Sequence, residues 1–259
     1  MHDVLVPMRN RPKLLRHGDA ALRLPKGLVE KNDEVALVAR LVCDRRLFGE
    51  CYRGLLPVRF NEMGVKGGVM IAGSVPSAEV LPDMIFPGDI DLLVIPYEGD
   101  QLITSEALAI EFKAVRASFK KQGKSPNEFG FSQAKSLAKH GFPYVAVGHL
   151  VVSDDSPTDS WRRALVTEVL DGDGRVNPPR EVFTDMLAGD LLSRSFGRLT
   201  KSSDIDSLGL LAAFVTNRGM WYPLSRAAAK NSEISVNTCH AIADCFQRNY
   251  KKFMDIPRY

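Results

Sequence analysis

The stretch GDIDLLVIPYEGDQLITSEALAIEFK, residues 88–113, decides how the chain is read. Two apolar runs flank a turn-like centre, Glu98-Gly99-Asp100, and each run carries a pair of charged residues where a buried strand should have none. Successive side chains of a strand alternate faces, so Asp89 shares a face with Asp91 and Glu111 shares one with Lys113. Leu108, Ile110 and Phe112 fall on the other face of the second run, which reads as core. The turn residues make an antiparallel hairpin the simplest connection. Centred near Gln101, it sets Asp91 across from Glu111.

Two carboxylates and an ammonium then converge at one end of a sheet. Such a cluster suits Mg²⁺, with the lysine positioning or activating water beside it. Asp91 is preferred to Asp83 as the first carboxylate. It heads the run Leu92-Leu93-Val94-Ile95, which can form a buried strand, whereas Asp83 follows a proline. Glu79 and Asp83 stand as accessory acids. Asp89 reads as an accessory ligand or as an exposed residue at the strand start.

Asp91 followed by Glu111-Phe112-Lys113 resembles the signature of the PD-(D/E)xK nuclease superfamily. The segment FSQAKSLAKHG, residues 131–141, is similar to the glutamine-bearing helix that follows the catalytic strands in RecB-like members. The likeness covers about residues 80 to 152. It implies an α/β fold of restriction-endonuclease-like type, a mixed central sheet flanked by helices, with a C-terminal α/β elaboration. It further implies Mg²⁺, with Mn²⁺ as a substitute, held by Asp91, Glu111 and the carbonyl of Phe112. Lys113 would hold the attacking water or a phosphate oxygen, and Gln133 would orient the site. Family members commonly place a helix before the sheet, sometimes with an extra metal-facing glutamate, for which Glu34 and Glu50 are equal candidates.

Composition sets the frame for this expectation. A chain of 259 residues can bury a sizeable core, as one elaborated domain or two small ones. No apolar run has the length of a membrane span, and the arginine-rich start lacks the apolar segment of a signal peptide, so no membrane partner and a cytoplasmic location are expected. Cys43, Cys51, Cys239 and Cys245 lack C-x-x-C pairing and read as reduced, mostly buried thiols. The close-spaced pair that iron–sulfur members of the family use is absent.

Net charge is only +3, but its distribution is uneven. Lys113, Arg116, Lys120, Lys121, Lys124, Lys135 and Lys139 stand against the single acid Glu128 between residues 113 and 140. Basic residues beside a metal site would neutralise phosphates, so Arg116, Lys120, Lys121, Lys124, Lys135 and Lys139 are the candidate nucleic-acid contacts. A second basic run spans Arg9 to Lys26.

Taken in order, residues 1–32 read as an irregular basic arm, 33–153 as the nuclease core and 154–259 as an elaboration packed on it. Asp33 caps a helix predicted to run to about Phe48, with Val35, Val38, Leu41 and Val42 on its apolar face. Residues 54–72 suggest one or two short strands, residues 76–84 a turn or single helical turn, and residues 118–128 a loop at the site. Phe129 to His140 is predicted helical, stopped by Gly141. Residues 143–152, PYVAVGHLVV, are the best buried strand, and His149 within them reads as a hydrogen-bonded core or strand-end residue. Beyond it, helices are predicted from Asp159 to Leu170, Glu181 to Phe196 and Thr238 to Met254. A turn is predicted at 171–174 and a buried strand from Leu208 to Thr216.

The function expected is metal-dependent hydrolysis of phosphodiester bonds, most naturally of DNA, in restriction, phage defence or repair and recombination. A homodimer or a larger defence or repair complex is compatible with that role. The competing expectations are a nuclease-like module that grips nucleic acid or protein without cutting, and an RNase or toxin-like effector using the same site.

Overall fold

The computed structural model describes residues 4–15, 23–81, 88–126, 129–215 and 221–258. Asp83, Glu128, part of the Arg9–Lys26 run and residues 216–220 therefore lie outside the described residues. The chain alternates between strands and helices: β1 (Leu5–Pro7), α1 (Lys26–Glu30), α2 (Glu34–Cys43), α3 (Arg45–Leu55), α4 (Pro57–Glu62), β2 (Gly67–Pro76), α5 (Ser77–Val80), β3 (Asp89–Glu98), β4 (Gln101–Ile103) and β5 (Leu108–Arg116). Then come α6 (Phe131–Lys139), β6 (Tyr144–Val152), β7 (Arg162–Val166), β8 (Arg180–Thr184), α7 (Leu187–Ser202), β9 (Gly209–Phe214), β10 (Leu224–Arg226), α8 (Val236–Asn249) and β11 (Met254–Pro257).

Near-continuous apolar runs form the middle of one mixed sheet. Its order is β1-β4-β3-β5-β6-β9-β10, with β2 pairing the far side of β3 and β11 pairing β2. β3 and β5 are antiparallel, with Leu92 opposite Ile110 and Val94 opposite Leu108. β5, β6 and β9 run parallel, and β6 is buried on both faces as a central strand of that kind must be. Helices cover both faces. Leu37, Leu41, Phe48, Tyr52 and Leu55 of α2 and α3 pack on Leu108, Ile110 and Phe112. On the other face, Ala134 and Leu137 of α6 and Ile242 and Phe246 of α8 pack on Ala109, Val145 and Val147. The protein is thus a mixed α/β structure with a central sheet between helical layers.

Several expectations need correcting. The N-terminal segment is not wholly an irregular arm: β1 pairs with β4, and Arg11 reaches Asp255 of β11 at 2.7 Å. Asp255 is buried and also accepts from the Tyr97 hydroxyl at 2.8 Å, so two donors share its charge. The helix expected to reach Phe48 stops at Cys43, because Asp44 leaves helical geometry and its side chain caps α3 by accepting from Leu47 N–H. Of residues 54–72, expected to hold one or two short strands, only 67–72 extend, as the start of β2. α3 runs to Leu55 and α4 takes Pro57–Glu62, with Pro57 in its N-terminal turn, where no amide is needed.

In the last third, β7 and β8 replace the helix expected through Trp161 to Leu170 and the start of the one expected from Glu181. They form a hairpin of their own, because the turn at 171–174 folds them back on each other. α7 begins only at Leu187, where Asp185 accepts from its N–H. The last helix ends at Asn249 and gives way to β11, whose pairing with β2 decides it. Because β9, β10 and β11 join the same sheet as β3 and β5, the sheet does not end at residue 153. Among the described residues no helix is long and apolar enough to cross a membrane.

Candidate active site

The site arises where β3 and β5 part. Their ladder ends at Leu92 and Ile110, one rung before Asp91 would face Glu111 in the same register. From there the edge of β5 is served by side chains instead of a strand. Asp91 Oδ2 accepts from the Phe112 N–H at 2.7 Å, and Glu34 Oε2 accepts from the Ala114 N–H at 2.8 Å. A strand residue sends its N–H and C=O to the same side, so the Phe112 carbonyl also points into the gap between the strands.

Glu34 stands at the first turn of α2, placed there by Asp33, whose side chain caps the helix by accepting from Val35 N–H. Its second oxygen takes the Lys113 ammonium at 3.1 Å. Glu50, the other candidate, faces away and pairs with Arg53. Sequence could not separate these two; the break at Asp44 does, by turning α3 into a different helix.

Glu111 is 1% exposed, and its Oε1 has no hydrogen-bond partner among the described residues. Its carboxyl is near enough to that of Asp91 for the two to act on each other electrostatically. Burial raises the Glu111 pKa, and the Asp91 charge raises it further. Burial raises Asp91 as well, against the lowering effect of the Phe112 N–H and of Lys113. Both carboxyls therefore favour the protonated form more than an isolated carboxyl does. Burial alone would lower Lys113, but Glu34, Asp91 and Glu111 outweigh it and keep the ammonium charged.

Gln133 of α6 does not reach Glu111 or Lys113. It donates to the Asp89 carbonyl at 2.7 Å and packs against Gly88, so it fixes the start of β3, two residues from Asp91. The Asp89 side chain is exposed. Glu79 is occupied elsewhere, with Asn249 and Lys252. Gly130, with φ +81°, lets the chain turn tightly over Glu111 and Lys113 before α6 begins.

Two cavities flank the site. A cleft of about 530 Å³ lies on the Lys113 side, lined by Glu34, Lys113, Arg116, Lys124, Ser125 and Pro126. A more apolar one of about 500 Å³ lies on the Asp91 side, walled by Val35, Val38, Val42 and Ile71 with Lys13, Lys251 and Lys252 among its residues. Of the basic candidates, Arg116 and Lys124 line the first cleft, although the Arg116 guanidinium already donates to the Lys31 and Asn32 carbonyls. Lys120 and Lys121 are exposed in the adjoining turn. Lys135 is paired with Asp204 at 2.7 Å, and Lys139 is exposed at the far end of α6.

His149 sits beside Lys113 in the parallel register and is fully buried, with Nδ1 2.7 Å from Ser195 Oγ. Burial, aided by Arg198, lowers its pKa to about 4, so the imidazole is neutral. Of the cysteines, Cys51, Cys239 and Cys245 are buried and Cys43 is exposed, all as free thiols.

Among the described residues no group of three or more His, Cys, Asp or Glu side chains gathers as a cation cage. Mg²⁺ does not require one, since it keeps several waters and is commonly held by one or two carboxylates together with substrate phosphate. A buried carboxylate oxygen without a hydrogen-bond partner, beside a second carboxylate, fits such an ion, because the nearby Lys113 ammonium is already engaged by Glu34. Comparison with family models, curated proteins and solved structures gives no match.

Proposed function

We propose that the protein is a Mg²⁺-dependent nuclease of the PD-(D/E)xK type, built on a restriction-endonuclease-like sheet and acting on phosphodiester bonds, with DNA as the expected substrate. One observation carries this. Asp91 and Glu111 converge at the point where β3 and β5 part, on a buried carboxylate oxygen with no partner, with the Lys113 ammonium on the same strand face as Glu111.

Asp91, Glu111 and the Phe112 carbonyl would hold the ion. When bound it supplies Lewis-acid stabilisation of the phosphate and lowers the pKa of water. Lys113 stays protonated because of Glu34, so it donates a charge-assisted hydrogen bond to the attacking water or a phosphate oxygen. Glu34 also holds the Ala114 amide, which fixes the strand carrying Lys113. Gln133 orients the site at one remove, through the Asp89 carbonyl. Neutral His149 sits beside Lys113 on the neighbouring strand and takes no proton in this scheme. The basic cleft on the Lys113 side suits a phosphodiester backbone, and the apolar cavity beside Asp91 has the volume of a small-ligand pocket. A cytoplasmic role in restriction, defence or repair agrees with such chemistry.

Incubation with duplex DNA, single-stranded DNA and RNA, in Mg²⁺ or Mn²⁺ against chelator, tests the proposal. Metal-dependent cutting by the wild type, slowed about 10²–10³-fold in Lys113→Ala, supports it. Cutting of RNA alone assigns an RNase. Binding by both proteins without cutting by either leaves a non-cleaving module.

A further inference from the structure

The β7–β8 hairpin is set apart from the main sheet and breaks the rule for a two-stranded ribbon at a surface. One face of such a ribbon should be polar. Here Ala164, Val166 and Val182 point to the half-covered side, and Leu165 and Phe183 are on the opposite, outward side. Trp161, Val169, Leu170 and Val176 add to the apolar surface, with exposures from 38% at Trp161 to 71% at Leu165. Isolated hairpins are marginal in water, and contiguous apolar patches of this kind mark interaction sites.

Its charges narrow the partner. Arg162, Arg163, Arg175 and Arg180 are each paired, with Asp190, Glu181, Asp171 and Glu168 in turn. The hairpin thus offers no net positive field to a phosphate backbone. On the outward face, Arg163 stands opposite Phe183 and Leu165 opposite Glu181. That square is self-complementary: a two-fold axis along the Leu165–Phe183 diagonal brings Phe183 onto its own copy and Leu165 onto its own copy, and the loose 3.9 Å Arg163–Glu181 pair within each hairpin is exchanged for Arg163 against the partner's Glu181.

We infer that the outward face of the β7–β8 hairpin is an isologous dimer interface for a second copy of this chain. Phe183 and Leu165 form its desolvated centre, and Arg163 and Glu181 set its register. The inference does not depend on the nuclease proposal, because no residue of the Asp91–Glu111 site takes part.

Sedimentation of the full chain across a micromolar concentration series, with cross-linking as a second readout, tests it. The wild type should run as a dimer whose melting temperature rises with concentration, and Leu165→Asp/Phe183→Asp as a folded monomer whose melting temperature does not depend on concentration. Arg163→Glu should weaken dimerisation about tenfold, and Arg163→Glu/Glu181→Arg should restore it. Should the double aspartate variant fail to fold, Phe183→Cys in a Cys43→Ser background decides. Mild oxidation should link it into a dimer, since Phe183 meets its own copy. A monomeric wild type, a dimer indifferent to Leu165 and Phe183, or an unlinked Phe183→Cys overturns the inference. So does a double aspartate variant that keeps its dimer mass but loses nucleic-acid binding, which would make the hairpin a nucleic-acid contact.

Discussion

Asp91 holds the Phe112 amide: its Oδ2 accepts that N–H at 2.7 Å, and this side chain closes the edge of β5 where the β3 backbone no longer does. Replacing Asp91 by alanine orphans the amide, and should destabilise the metal-free protein by about 1–3 kcal/mol. Asparagine keeps an acceptor for Phe112 and removes the buried charge, so Asp91→Asn should lose markedly less while abolishing cutting. Urea unfolding of both variants in chelator checks this. Equal losses would show that the amide contact does not matter.

The raised carboxyls make stability depend on pH in a definite direction. A carboxyl whose folded pKa lies above its unfolded value stabilises the fold when protonated, and that contribution is lost as pH rises through the folded value. The metal-free protein should therefore lose stability from the ordinary glutamate range upward through neutral pH. His149 acts oppositely. Its pKa is depressed to about 4, so its contribution is present above the ordinary imidazole value and fades as pH falls toward 4. Melting temperatures across pH should show both limbs. Glu111→Gln should flatten the alkaline one and His149→Gln the acid one.

Glu34 should control the protonation of Lys113. Without its negative charge the ammonium loses its first partner, so Glu34→Gln should move the alkaline limb of the pH–rate profile to lower pH. Lys113→Ala, which removes the donor altogether, should lower the cleavage rate about 10²–10³-fold at every pH. An unshifted profile for Glu34→Gln would sever Glu34 from the chemistry.

Much of this arrangement was legible in the residues. The alternation in 88–113 shows which side chains share a face, but the turn at Glu98–Asp100 joins β3 to the short β4 in a register that would set Asp91 against Leu108, and the helical turn at Thr104–Glu106 shifts β5 by three residues to bring Glu111 toward Asp91. What escaped depended on contacts distant in sequence. Glu34 lies 79 residues from Lys113, and only the tertiary packing of α2 chooses it over Glu50. The likeness to the glutamine-bearing helix does not show which group Gln133 meets: its amide donates to the Asp89 carbonyl. Residues 162–184 misled because a short apolar run with arginines fits helix and strand alike. The pairing across the 171–174 turn, itself visible, settles it.

The basic residues should contribute unequally to binding. Each exposed lysine of the 120–124 turn that contacts duplex phosphate should reduce the log–log salt slope by about 0.9 when changed to alanine. Lys135→Ala should change little, because Asp204 already neutralises that ammonium. Fluorescence anisotropy across a salt series, in a non-cutting background, distinguishes them.

The central claim is that Asp91 and Glu111, whose carboxyls burial biases toward the protonated form, together bind a divalent ion. Calorimetric titration of Mn²⁺ into the full chain near pH 7, repeated in buffers of different ionisation enthalpy, measures this directly. Saturable binding should release about one proton per ion. Both the binding and the release should disappear in Glu111→Gln, whose metal-free fold is at least as stable as that of the wild type. Binding that survives unchanged in Glu111→Gln, or that releases no proton in the wild type, would contradict the account.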